Sequence, residues 1–402
     1  MNNELSPQDF LINKNSNNNV IKKNFLQIIY KENIILKKTN YKDLIDIFFS
    51  NLLDANKYYN NNKNNILKNI SFIEKNIDLQ EKDNTFFPKN IQTFIEDNIS
   101  TIYSYEFKIF HRKIRVNFCF FDFIPNNMNE NIMKIYLLLY LISLYSNNSC
   151  SEELLLNIFF TPFYKEFPDD QLIIDRINVN SAWTYQCTKK NSITVYREEE
   201  WFKVLCHEVI HTFGLDFNVN TDDVNTCKNF FNINSDYLVN ETYCEFWAII
   251  LNTLIHVFMD YNTEKKNFYK NFSIIIKREK QFAIFQLVKI LSFMELSYDN
   301  IINNDEVDKY KEKTNVFCYY ILKAIILYND TDTMEHFIEH NKNILNFDKN
   351  KVGKFIDYII RKSRDTQFIN IVQKMKYNIE MNYHANKIDD ELITTMRMSL
   401  YG

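Results

Sequence analysis

The stretch Trp201-Phe202-Lys203-Val204-Leu205-Cys206-His207-Glu208-Val209-Ile210-His211-Thr212-Phe213-Gly214 decides how the rest of the chain is read. Phe202, Cys206, Val209, Ile210 and Phe213 recur at helical spacing and fall on one apolar face. His207, Glu208 and His211 fall on the other side, near Trp201 and Val204. Residues four apart on a helix stand one above the other, so both imidazoles can reach a single metal ion. Glu208, beside them, is placed to take a proton from a water. Gly214 suits a left-handed turn that ends the helix. A His and Glu cluster on a buried helix needs partners, and a metal ion supplies them.

Composition narrows the classes. The 402 residues predict two or three packed units with a sizeable core. With 47 Lys+Arg against 51 Asp+Glu, there is no whole-chain case for nucleic-acid binding. The 3 glycines, at 214, 353 and 402, cannot build a phosphate loop, a dinucleotide fingerprint or a nucleophile elbow. The 7 cysteines are scattered, odd in number and without a C-x-x-C pair, which predicts free thiols in a reducing compartment. The first twenty residues are polar and Asn-rich, with no apolar signal core, and the run Ile135–Tyr145 is too short to cross a bilayer. The expectation is a soluble, intracellular protein without a membrane partner, in the cytoplasm. The weight of Asn, Ile, Lys, Phe and Tyr is that of an AT-rich genome, as in some protists and large DNA viruses.

Around the central helix, residues 1–24 read as a flexible tail. Residues 25–150 read as a mainly helical accessory region, 151–236 as a sheet ending in the metal-binding helix, and 237–402 as a helical lobe. The alternation of Ile114, Val116, Phe118 and Phe120 predicts a strand, hairpinned with Phe107–Phe110. Further strands are predicted at Leu154–Phe160, Leu172–Ile174 and Ser192–Tyr196. No proline follows Pro168, and helices are predicted over 199–213, 237–261, 266–296, 314–328 and 352–379. The basic stretch Lys265–Lys280 reads as an amphipathic helix with a solvated face.

A catalytic zinc needs a third protein ligand. Three residues beyond Gly214 stands Phe217, which cannot ligate, and Asp216 is one position out of register. The other option is a later carboxylate. Asn240-Glu241-Thr242-Tyr243-Cys244-Glu245 places Glu241 and Glu245 one turn apart on an otherwise apolar helix, with Asn234, Ser235 and Asp236 ahead as candidate caps. Two carboxylates there are costly unless paired or metal-bound.

HExxH followed by N-E-x-x-x-[D/E] on a later helix resembles the gluzincins, the thermolysin-like zinc metallopeptidases. The resemblance covers about 175–250. It implies Zn2+ held by His207, His211 and Glu241, with Glu208 as general base and Glu245 orienting the His207 imidazole. Asn180-Ser181-Ala182-Trp183-Thr184-Tyr185 looks like the family's edge strand, which implies that Ser181, Ala182 and Trp183 bind a peptide or protein substrate. The chain departs from the family in a polar insert, 218–234, read as a loop beside the cleft. The oxyanion-stabilising residue cannot be matched, and its candidates are Tyr237, His256, Tyr383, His384, Arg397 and Tyr401.

A rival motif, His336-Phe337-Ile338-Glu339-His340, spells the inverted HxxEH, with Glu380 or Glu391 as a further ligand, but polar flanks point to a solvated helix. The expectation is thus an α+β fold: a small sheet whose edge strand packs on the HExxH helix, followed by a mostly helical C-terminal lobe. The expected activity is zinc-dependent peptide-bond hydrolysis. The alternative is a non-catalytic structural or virion-associated protein that keeps the fold. In that case a fourth side chain, Cys206 or Asp216, would close the metal site.

Overall fold

The computed structural model describes residues 20–29, 36, 40–68, 71–73, 86–121, 127–168, 173–260, 264–385 and 388–402. The fold is α+β, with one mixed sheet and a helical C-terminal region. In chain order the elements begin with α1 (20–29), α2 (Lys42–Lys68), β1 (Ser71–Ile73), α3 (Lys89–Asn98), β2 (Thr101–Ile109) and β3 (Arg112–Phe120). They continue with α4 (Met128–Tyr145), β4 (Glu153–Phe159), α5 (Arg176–Val179), β5 (Ala182–Thr184), β6 (Lys190–Val195), α6 (Trp201–Thr212), α7 (Thr221–Phe231) and α8 (Val239–Asp260). Then come α9 (Lys265–Phe293), α10 (Tyr298–Asn303), a π-helical turn (Phe317–Leu322) and α11 (Lys323–Tyr328). The last helices are α12 (Asp330–His340), α13 (Val352–Ser363), α14 (Thr366–His384) and α15 (Asp390–Thr394).

The strand order is β1-β2-β3-β4-β6-β5. β2 and β3 form the predicted hairpin, β3, β4 and β6 run parallel, and β5 returns antiparallel along β6 as the outer strand. The alternating Ile114, Val116 and Phe118 face the main core with Leu154, Leu156, Ile158, Ile193 and Val195. On the opposite face α3 covers one end of the sheet, packing Ile91 and Ile95 toward Ile102, Phe159 and Tyr196. The boundary expected at 150 falls between β3 and β4, which pair directly, so it divides one continuous sheet.

The main core runs from Ile21 to Leu400 without interruption. Residues 1–19 of the expected tail lie outside the described residues, whereas 20–24 open α1, whose Phe25 packs edge-on against Phe282 and Phe285. Of the expected strand at Leu172–Ile174, Leu172 lies outside them too, and Ile174 makes only an isolated bridge to Glu312. The pattern at 352–379 is two helices, because Asp365 turns its side chain to the Gln367 amide and starts α14 afresh. The 218–234 insert is not a loop: it contains α7, whose N-terminus is closed by a reciprocal Asn220–Asp223 capping box.

α6 lies between the β5–β6 edge and α8. α8 is apolar on nearly every side and is long enough to cross a membrane, but 89% of its apolar window is buried within the protein. The residues expected to cap it lie too early: Ser235 accepts from the Tyr237 amide, Tyr237 takes a left-handed φ of 52°, and the helix starts at Val239. On α9, Lys265, Lys266, Lys270 and Lys277 are exposed as expected, whereas Lys280 is buried. Residues 395–402 form an extended segment threaded beside α6 and α9. Its Met398 and Ser399 amides donate to Glu200, and the Leu400 and Tyr401 amides to Glu279.

Lys280 forms a buried ion pair with Asp330, which also accepts from the Tyr41 hydroxyl. Removing one partner strands the other charge in the core, at a cost of about 3–5 kcal/mol. We expect Asp330→Ala to lower stability in urea by that order, and Lys280→Met/Asp330→Leu to recover part of it. Equal losses in the single and double variants would show that a stranded Lys280 charge is not what the single variant costs.

Candidate metal centre

α6 presents His207 and His211, and the first turn of α8 presents Glu241. The two Nε2 atoms are 3.0 Å apart, and Glu241 Oε2 is 3.1 Å from His207 Nε2 and 3.5 Å from His211 Nε2. A tetrahedral ion with bonds of about 2.0 Å holds its ligand atoms about 3.3 Å apart, so this triangle fits one. Two imidazole nitrogens and a carboxylate oxygen are also a donor set that suits zinc. Among the described residues no fourth side chain joins this trio. Cys206 is buried in the apolar face of α6, and Asp216 approaches His211 from its far side, at Nδ1.

The outer nitrogens face carboxylates. His207 Nδ1 is 2.9 Å from Glu245 Oε1, a contact off the ideal hydrogen-bond line. Glu245 takes Lys203 Nζ on both oxygens at 2.5 Å, and Lys323 Nζ lies 3.9 Å away. His211 Nδ1 is 2.7 Å from Asp216 Oδ2, and Gln186 Nε2 donates to Asp216 Oδ1 at 3.0 Å. This arrangement favours protons on both Nδ1 atoms and leaves the Nε2 lone pairs pointing into the triangle.

Burial opposes the charged form of both histidines, but the hydrogen bond to Glu241 and the Glu245 carboxylate beside Nδ1 outweigh it at His207. Cys244, Glu241 and Asp216 outweigh it at His211, so both pKa values rise. Burial works against the Glu241 and Glu245 carboxylates too. The two histidines hold Glu241 well below the usual range, and Lys203 with His207 does the same for Glu245. Glu208 goes the other way: burial raises it, against the pull of His207 and His211. Among the described residues its carboxylate has no hydrogen bond or ion pair, and it lines the cleft.

The cleft encloses about 260 Å³ and is also lined by Ser181, Ala182, Trp183, Thr184, Asn218, Asn240 and Tyr319. The Tyr196 amide donates to Ser181 O at 2.9 Å, so antiparallel alternation turns the backbone groups of Ala182 and Thr184 outward. Thr184 Oγ1 meets Thr212 Oγ1 at 2.8 Å and ties β5 to α6. Ser181 Oγ and Trp183 Nε1 are buried without a hydrogen-bond partner among the described residues.

None of the six side chains weighed against the oxyanion lines this cleft. The Tyr237 hydroxyl is held by the Ile233 backbone, His256 faces Asp260, and Arg397 is bound to Ser399 O and Gly402 O. Tyr401 accepts from Arg278, and Tyr383 and His384 sit exposed on α14. Tyr319, which the sequence reading did not single out, does line the cleft, with its ring centroid 6.0 Å from that of His207. Burial and the charges of Glu241 and Glu208 push its phenol well above the ordinary range, against a hydrogen bond from Asn315, so it keeps its proton. It lies on the π-helical turn, a local widening that period-counting reads as plain helix. The rival HxxEH motif does not converge: Glu339 is exposed, His340 Nδ1 is held by its own His336 carbonyl, and its Nε2 faces Lys354 Nζ.

No protein-family model matches the chain, and no solved structure matches it. It is similar to an uncharacterized protein of Acanthamoeba polyphaga mimivirus, at 24% identity over 216 residues. The match spans 52% of this chain and 53% of that relative, so about half of each.

The turn that carries Tyr319 is itself anchored. Glu312 Oε2 accepts from the Phe317 amide at 2.7 Å and from the Tyr310 hydroxyl at 2.8 Å. Burial pushes the Glu312 carboxyl up to about 7 from 4.5, despite those bonds and one from Ser235. Between these values the folded chain binds a proton that the unfolded chain has released, so this group makes stability fall as pH rises, levelling above about 7. Urea titrations of Glu312→Gln should lack that descending contribution relative to the parent. An identical pH slope in both proteins would mean that Glu312 is ionised throughout.

Proposed function

We propose that this protein is a zinc-dependent peptidase of gluzincin type. The observation that carries the reading is the triangle of His207 Nε2, His211 Nε2 and Glu241 Oε2, with the unpaired Glu208 carboxylate beside it. The absence of a fourth side chain in that trio, among the described residues, favours a site that keeps a position open. A closed structural centre would fill it.

Zinc bound there supplies an acidified water and a polarised carbonyl. Glu208 takes the proton of the attacking water and hands it to the leaving amine; its raised pKa suits both transfers. Tyr319 keeps its proton and donates to the oxyanion that develops on the scissile carbonyl. The outward backbone groups of Ala182 and Thr184 align an extended peptide as one more strand beside β5. Glu245 and Asp216 hold the imidazoles in the ligating tautomer.

Glu208→Gln should retain zinc and lose about 10²–10⁴-fold in turnover on a peptide library. Wild-type turnover in that variant would remove Glu208 as the base. Glu241→Ala should lose the metal by elemental analysis, and an undiminished zinc content would move the third ligand elsewhere. Tyr319→Phe should lower kcat by about 10²-fold with little change in KM. A change confined to KM would make Tyr319 a binding residue instead.

A further inference from the structure

The cysteine pattern predicted free thiols, but Cys150 and Cys187 form a disulfide, and the five other cysteines are buried and unpaired. The bond sits on the C-terminal end of α6. The Cys187 amide donates to His211 O at 3.2 Å, and the adjacent Gln186 holds Asp216, which in turn holds His211 Nδ1. From the other loop, Ser151 Oγ donates to Thr212 O at 3.1 Å and the Ser151 amide to Thr188 O at 2.8 Å. The two sulfur-bearing loops thus grip the last turn of α6 from both sides.

The grip closes over Gly214, the residue that ends α6 with a φ of 64°. A Cβ added there would lie 2.9 Å from Cys187 Cβ and 3.2 Å from Cys150 Sγ. Cys150 is buried, with its carbonyl fixed by Arg112 Nε, whereas Cys187 is exposed on a turn with Thr188, Lys189 and Lys190. An exposed disulfide is the kind that thiols reach and reduce.

We propose that Cys150–Cys187 is a redox-sensitive clamp that positions His211 and Asp216, and that its reduction weakens the hold of the centre on a divalent metal. The proposal rests on the metal reading given above. A thiolate of a protein dithiol attacks Cys187 Sγ and forms a mixed disulfide. The S–S bond breaks and Cys150 leaves as a thiolate that takes up a proton. The second thiol of the reductant then closes its own disulfide and releases Cys187 as a thiol. Two electrons and two protons pass from the dithiol to the chain. The 185–190 turn is then held to the 147–152 loop by the Ser151–Thr188 backbone bond without its covalent link, which loosens the grip of Gln186 on Asp216.

The test uses the full chain, oxidised or reduced by a thioredoxin-type dithiol protein, because small dithiols chelate zinc. Zn2+ affinity is read by competition with a chromogenic chelator, and amide exchange over 209–216 is read on the metal-free protein. Reduction should weaken Zn2+ binding about 10-fold or more and speed exchange at Phe213–Leu215, and reoxidation should reverse both. Gln186→Ala, which keeps the disulfide, should bind Zn2+ more weakly and respond less to reduction. Affinities within about two-fold in the two redox states, with unchanged exchange, overturn the clamp. If the oxidised protein takes no Zn2+ at all, the metal reading fails and the affinity half of this proposal with it, while exchange still decides whether the bond restrains α6.

Discussion

The structure depends on the packing of α6 against α8, because that contact alone brings Glu241 to within 3.5 Å of both imidazoles. Neither helix can meet the polar demands of its buried residues by itself. His207 and His211 need acceptors, and Glu241 and Glu245 need positive partners. Packed together, each helix satisfies the other.

Around that contact runs an unusual amount of buried charge. Lys165 pairs with Glu200 at 2.8 Å, Lys203 with Glu245, and Lys323 reaches both Glu245 and the carbonyl of Met398. Glu200 is held at about 2, because Lys165, Arg397 and Lys203 overcome the burial that would raise it. Lys203 also approaches Met398 Sδ at 3.5 Å. The extended segment 395–402 therefore does more than fill space: its backbone amides complete the coordination of two carboxylates that no side chain fully serves.

Most of the centre was legible in the sequence because its signals are periodic. The i, i+4 spacing of His207 and His211, and the polar stripe of Glu241 and Glu245 on an apolar helix, state a shared face outright. The β2–β3 hairpin was legible through strict alternation. What stayed hidden depends on distance in space. Tyr319 sits on a π-helical turn that leaves no mark in a 3.6-residue period, and Cys150 finds Cys187 only because the start of β4 lies beside the β5–β6 turn. The parallel β3–β4 pair is joined through α4, so the boundary expected at 150 falls on a crossover within one sheet. α7 was missed because its polar composition outweighed its capping signal.

The segment 395–402 carries a consequence for the order in which the molecule matures. Its amides reach Glu200 across 198 positions of chain, at the residue that immediately precedes α6. During synthesis both ligand-bearing helices leave the ribosome long before this segment does. Until it threads into place, Glu200 and Glu279 lack their backbone donors and Lys323 lacks a carbonyl, so the ground beneath α6 stays unsettled. The footing of α6 is therefore complete only once the chain has been extended past residue 400.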